Sequence, residues 1–273
     1  MTVSDTLKHT AHAAAILVLL LGTARLVAPV LGTHASVAPI DEQYLAAEPE
    51  LPAFGPNDPA DAYALWQRPD SPLHVVIQAG HWNTNDAPDE LAALRGRPGA
   101  HYGSLREWQL NLDVSRRVAE MLEARGISAE VLPAVVPPGT YADAFVSVHA
   151  DEHTRRTTRG YRVVGSALGL ASPSSDSLAA AIDASYAQET GIPEGGHVTA
   201  NMTHYYAFNW RKFEHSLHPM TPSAIIEMGY MTNANDRAVI VSHPDVAARA
   251  IANGIETFLH GAPTAPQADA SNE

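Results

Sequence analysis

The sequence predicts an α/β fold: a single domain on a mostly parallel mixed sheet with helices on both faces. Three observations lead there. Short apolar runs recur at "LHVVIQAG", "SAEVL", "DAFVSVHA", "GYRVVG" and "SAIIEMG". The runs are continuous rather than alternating, as in strands covered on both sides. Between them stand helical patterns at 106 to 125, 175 to 189 and 244 to 260.

Taken in order, residues 1–38 stand apart from this pattern. Lys8 precedes "AAAILVLLLGTARLVAPVLG" and then "THASVAP", whose small residues suit a signal peptidase. Export to the periplasm, cell wall or extracellular space is expected. The apolar stretch 13–24 has signal-peptide length, whereas 13–31 approaches a membrane span of about 20 residues if Arg25 snorkels. A cleaved signal and an uncleaved membrane anchor both fit. Residues 39–72 are rich in Pro, Asp, Glu and Ala and read as a linker too polar to fold alone, although its "AYALW" has the character to dock on a neighbour. Residues 73–261 carry all the strand and helix signals. Residues 262–273, "APTAPQADASNE" with the preceding Gly261 excluded, read as a disordered tail.

Composition narrows the function classes. Thirty acidic against seventeen basic residues give a net charge of −13, which excludes the clustered cationic face of a nucleic-acid binder. The chain has no cysteine, so a transition-metal centre must come from His, Asp and Glu, and fourteen histidines leave room for one.

In an α/β sheet, ligands sit outside the carboxyl ends of the strands. His81 closes "VVIQAGH", His149 closes "AFVSVH", and Glu227 interrupts the apolar run of "AIIEMG". A carboxylate in a buried strand loses hydration and needs a partner, and no basic residue is close to Glu227 in sequence, although a distant Arg can still pair with it. On the helix after the first strand, Leu110, Val114, Val118, Met121 and Leu122 form the inward stripe. Counting back at about 100° per residue places Glu107 on that stripe. Two imidazoles and a carboxylate make a three-ligand set for hydrolytic zinc, with one position left open. A carboxylate beside that metal, Glu227, is then placed to move protons. Singly, each residue has a plainer explanation: His81 as a turn residue, His149 as a hydrogen-bonded core histidine, Glu107 as a helix N-terminal carboxylate. Their shared placement argues for a site.

The motifs "VVIQAGH", "GSLREWQLNLDVSRRVAEML", "FVSVHAD" and "AIIEMGYMTN" resemble those of the zinc-dependent N-acetylmuramoyl-L-alanine amidases of the type-3 family, from about Leu73 to Leu259. The resemblance implies one Zn²⁺ held by His81, Glu107 and His149, with Glu227 as the catalytic carboxylate. It also implies peptidoglycan as the partner and the amide between N-acetylmuramic acid and L-alanine as the bond cleaved. A zinc peptidase acting on another amide and a wall-binding module without turnover are the alternatives. Three departures stand out. Trp82 follows the first histidine and Glu107 lies 26 positions beyond it, so 82–106 is an insertion able to reshape the cleft or to act as an autoinhibitory segment. Asp151 stands where the family prefers Asn. Only "PAVVPPGTYA" fills the place of an arginine-bearing segment and a helix.

"HADEH", residues 149–153, also spells the H-x-x-E-H of inverted zincin peptidases, but that chemistry needs a helix, and "AFVSV" is strand-like. In "HYYAFNWRKFEH", Tyr205, Trp210 and Arg211 are candidates to line a glycan or peptide groove, since aromatic faces suit sugars and Arg suits carboxylates. The plainer alternative is packing of this segment on the sheet.

Overall fold

A computed structural model describes residue 63 and residues 65–261. The expected leader with its apolar run 13–31, most of the linker and the tail from 262 lie outside the described residues. Among the described residues no helix is long and apolar enough to cross a membrane.

The apolar runs form the strands of one sheet: β1 (His74–Ala79), β4 (Ser128–Leu132), β5 (Ala144–Asp151), β6 (Arg162–Gly165) and β7 (Ser223–Tyr230). A small hairpin, β2 (His101–Tyr102) and β3 (Leu105–Arg106), lies in the insertion. The helices are α1 (Glu107–Glu123), α2 (Ser172–Thr190), α3 (Ala200–Thr203), α4 (Ala234–Ile240) and α5 (Pro244–Gly261). The sheet runs in the order β4-β1-β5-β7-β6. All neighbours pair in parallel except β6, which is antiparallel to β7. β1, β5 and β7 therefore end at one edge, the edge at which the site was expected.

Register decides which side of each strand meets which cover. Val75, Ile77, Val146, Val148, Ala224 and Ile226 face one core with Val114, Val118 and Leu122 of α1, Leu178 and Ile182 of α2, and Ile251 and Ile255 of α5. Val76, Phe145 and Ile225 face a second core made by Leu91, Met202, Tyr206 and Phe208, from short helical turns and loops. Both faces are covered by helical segments, but unequally: three long helices on one, single turns on the other. A strand sandwiched in this way has no polar face to alternate, which is why its sequence is apolar throughout.

On α1 the inward stripe includes Glu107, Asn111, Val114, Ser115, Val118 and Leu122, all buried; Leu110 and Met121 are only half-buried. The last turn of α2 is closed by Gly191, whose φ of +62° is the left-handed conformation that stops a helix cheaply only at glycine. At the opposite edge of the sheet, the end of the linker lies against the domain. Arg68 pairs with Asp143 at 2.5 Å, and the Trp66 ring packs on Tyr141 and His218 at 5.3 and 5.6 Å. Tyr63 also meets His218, at 5.1 Å, so the aromatic residues of "AYALW" do dock.

Candidate metal centre and active site

His81 follows β1 by two residues and has a φ of +60°, a conformation uncommon outside glycine that turns its ring back over the sheet edge. Glu107 is the first residue of α1, and His149 lies near the end of β5. One donor atom from each of His81, Glu107 and His149 lies within 4.8 Å of the other two. His81 Nε2 is 3.5 Å from Glu107 Oε2, and His149 Nδ1 is 3.1 Å from Glu107 Oε1. The two imidazole rings stand 5.0 Å apart, nearly perpendicular.

The surroundings aim these groups. His81 Nδ1 lies 3.2 Å from the Arg97 carbonyl, which can only accept, so Nδ1 carries the proton and Nε2 presents its lone pair to the cluster. Glu107 Oε2 accepts from the Ala100 amide at 2.6 Å, while Oε1 accepts from Asn111 Nδ2 at 3.1 Å and the Ala150 amide at 3.2 Å. Asn111 also donates to the Gly80 carbonyl at 3.0 Å, tying the helix to the His81 turn. Burial opposes ionisation of Glu107, but His81, His149 and the Ala100 amide outweigh it and bring its pKa down to about 2. Burial lowers the His81 pKa, against the pull of Glu107, so its imidazole is neutral near pH 7.

The cluster fits a metal ion on three counts. It is the group of three or more His, Asp and Glu side chains that gathers in this way among the described residues. His149 Nε2 is buried without a hydrogen-bond partner, an orphaned donor atom of the kind a bound ion satisfies. Its donors, two imidazoles and an ionised carboxylate, are those zinc takes when thiolates are absent.

Glu227 is the cross-strand partner of His149 in the register of β5 and β7, so both side chains leave the same face of the sheet. Its Oε2 is buried and has no partner. Burial, then the charges of Asp151 and Glu107, push its pKa well above the ordinary carboxylate value, with Arg162 opposing. Arg162, the partner of Glu227 on β6, is the distant arginine that the sequence left open. Its two terminal nitrogens donate to Tyr230 Oη at 2.7 Å and to Asp151, and its Nε is buried without a partner. Glu227 thus lies beside His149 on the same strand face, with its Oε2 uncommitted.

The structure separates the other expected site residues. Tyr205 comes to the cluster: its ring meets the His149 ring edge-on at 5.8 Å, and its hydroxyl donates to Gln78 Oε1 at 2.8 Å. Trp210 does not. Its indole N–H donates to the Leu168 carbonyl at 3.2 Å, just beyond the end of β6 at Gly165, which pairs with Ala224 at the amino end of β7. Arg211 stacks on that same indole, with its guanidinium carbon 4.6 Å from the ring centre. Both therefore lie at the sheet edge opposite the metal cluster, because the chain from Tyr205 to Trp210 runs along the sheet through the buried turn Tyr206–Phe208. His153 follows β5 and accepts from the Arg155 amide at 2.9 Å; with His149 in a strand, no helix brings the two histidines of "HADEH" together.

Several contributors carried weak or no sequence signals. Gln78, fully buried in β1, accepts from Ser147 Oγ at 2.7 Å and donates to the Ala134 carbonyl and Tyr206 Oη at 2.8 and 2.9 Å, forming a polar floor beneath His149. A Gln inside "VVIQAG" is the same kind of anomaly as Glu227 in its strand. Asn111, one helical turn after Glu107 on the inward stripe, was equally visible. The insertion acts mainly through backbone atoms at Arg97 and Ala100, which leave no trace in residue type.

Gly99 is where that loop presses closest. A Cβ there would lie 2.2 Å from Glu107 Oε2 and 2.6 Å from His81 Cδ2, and its φ of +76° is already unfavourable to side chains. Gly99→Ala is expected to weaken zinc binding about 10- to 100-fold, as loss of ligand support does elsewhere, in a titration against a competing chelator.

Comparison with known proteins now bears on this geometry. Residues 138–257, which include His149 and Glu227, match the family model for N-acetylmuramoyl-L-alanine amidase. This segment, under half of the chain, is similar to that amidase family. The family is zinc-dependent. Among solved structures, the N-acetylmuramyl-L-alanine amidase Ami1 from Mycobacterium smegmatis is 25% identical, with 69% of this chain and 97% of that one covered and a TM-score of 0.52. The N-acetylmuramoyl-L-alanine amidase AmiC2 of Nostoc punctiforme is 27% identical over 69% of this chain and 97% of that one, with a TM-score of 0.49. The CwlD amidase from Clostridioides difficile, solved in complex with the GerS lipoprotein, shares the fold at 15% identity, covering 69% and 98%, with a TM-score of 0.51. No curated protein matches the chain in a sequence comparison. The amidase family match begins after β1 and α1, so for His81 and Glu107 geometry alone brings them to the cluster.

Proposed function

We infer that the protein is a zinc-dependent amidohydrolase that cleaves the bond between N-acetylmuramic acid and the L-alanine of peptidoglycan stem peptides. The observation that carries this is the convergence of His81, Glu107 and His149 beside Glu227 at one sheet edge. In this scheme one Zn²⁺ is held by His81, Glu107 and His149. When bound there, it supplies a Lewis acid that polarises a carbonyl and makes water more acidic.

The residues of the chain supply the rest. Glu227, ionised, takes a proton from the water that attacks the amide carbonyl and gives it to the departing nitrogen, so the C–N bond breaks to a carboxylic acid and an amine. The raised proton affinity of Glu227 suits both halves of that task, since a strongly acidic carboxyl would release its proton too readily to accept one. Tyr205, whose hydroxyl bonds to Gln78, packs edge-on against the His149 ring. Trp210 and Arg211 contribute no contact at the reacting bond. The activity is extracytoplasmic, residues 73–261 are the catalytic domain, and residues 1–38 carry export or anchoring.

Digestion of purified cell wall tests the assignment. Released stem peptides with a free N-terminal L-alanine, together with intact glycan strands, are the expected products. New termini within the peptide would identify a peptidase, and binding without release, in zinc-loaded protein, would identify a wall-binding module.

A further inference from the structure

The insertion does more than support the ligands. Trp82, directly after His81, and Trp108, directly after Glu107, flank a cleft of about 350 Å³ that His81 itself helps to line. That volume lies within the range of small-ligand sites. Both indoles are half-buried, and among the described residues neither indole N–H has a hydrogen-bond partner. Asn83 and Asn85, both exposed, add amide donors and acceptors to the same wall, with Thr84 between them. No Asp, Glu or Lys side chain lines the cleft, and the Arg116 guanidinium lies 6.0 Å from the centre of the Trp82 ring.

We propose that this cleft is the subsite for an N-acetylated pyranose on the acyl side of the scissile amide, an inference that rests on the amidase function above. Two lines of chemistry converge on it. A pyranose offers an apolar C–H face to stack on an indole and a rim of hydroxyl and acetamido groups for Asn side chains, with no charge to neutralise.

Direction supplies the second line. Glu227 returns the proton to the leaving nitrogen, so the amine half of the substrate lies on the β7 side of the cluster. β1 and β7 flank β5 on opposite sides. The acyl half, which carries the sugar through its lactyl ether, therefore extends toward β1, where His81 and the cleft stand. The insertion converts a bare histidine turn into a sugar platform, and the aromatic groove expected near Trp210 is built by Trp82 and Trp108.

The test compares two substrates that share the cleaved bond: N-acetylmuramoyl-L-alanyl peptide, and the lactoyl-L-alanyl peptide that lacks the sugar. Zinc-loaded wild type is expected to favour the first by about tenfold or more in kcat/KM, from stacking on two aromatic faces. In Trp82→Ala/Trp108→Ala the ratio should fall toward one, chiefly through KM. If the double variant does not fold, Trp108→Leu alone, at a half-exposed helical position, should lower the ratio severalfold. Wild type that cleaves both substrates equally overturns the subsite and leaves the amidase assignment standing, as does a preference undiminished in the variants. Wild type that cleaves neither substrate, nor cell wall, overturns both.

Discussion

Replacing Glu227 by Gln is expected to cut hydrolysis of the muramoyl–alanine amide by about 10²- to 10⁴-fold, the usual contribution of a positioned acid–base group. Zinc content should be unchanged, because Glu227 is the cross-strand neighbour of a ligand and outside the three-residue cluster. Gln keeps the shape and loses the titration, so the variant also separates catalysis from stability. The folded-state pKa of Glu227 is raised above its ordinary value of 4.5. A raised pKa means stability that is complete below the unfolded value and is lost as pH rises through the folded one. Metal-free wild type should therefore lose stability as pH climbs above about 4.5, while metal-free Glu227→Gln should not. Urea midpoints of the two proteins measured across pH check this: a gap that does not widen with pH would show that the carboxylate is not desolvated. In activity the sign is the reverse, since only ionised Glu227 can accept a proton.

His149→Ala should be more damaging still. Loss of an outer partner of a metal ligand typically weakens affinity 10- to 100-fold, so loss of a ligand itself should cost at least about 100-fold in zinc binding and reduce turnover to background. Zinc content after gel filtration reads the first effect, and wall digestion reads the second. The substitution also removes one of the groups that stabilise Glu107 as an anion. A depressed carboxylate pKa gives stability that is present above the unfolded value and lost as pH falls through the folded one, here about 2. Without His149 the Glu107 pKa must move up. The metal-free variant should be less stable than wild type at pH 7, and that deficit should shrink as pH falls below the ordinary value of 4.5. A zinc-replete, stable His149→Ala protein would remove the metal centre from consideration.

Much of this site was legible because it lies where chain pattern and chemistry disagree. Glu227 breaks an apolar strand, Glu107 falls on the inward stripe of α1, and His81 and His149 close apolar runs. Parallel strands convert those sequence positions into one place in space. The unequal covering of the two faces was not legible, since a strand buried on both sides carries no alternation to say which residue meets which layer. Nor was the antiparallel direction of β6, which its four residues do not encode. The aromatic candidates show a further limit. Trp210 lies five residues from Tyr205, yet the chain between them traverses the sheet, whereas Trp82 and Trp108 are 26 positions apart and line the same cleft. Sequence distance measures reach only when the path is known.

The loop that bears Trp82 also orients both early ligands, through the carbonyl of Arg97 and the amide of Ala100. On the proposed function, substrate selectivity and cofactor retention would both depend on a single stretch of backbone. Grafting a shorter loop here to broaden substrate range is expected to weaken ion binding unless the replacement supplies an acceptor and a donor at those same two points.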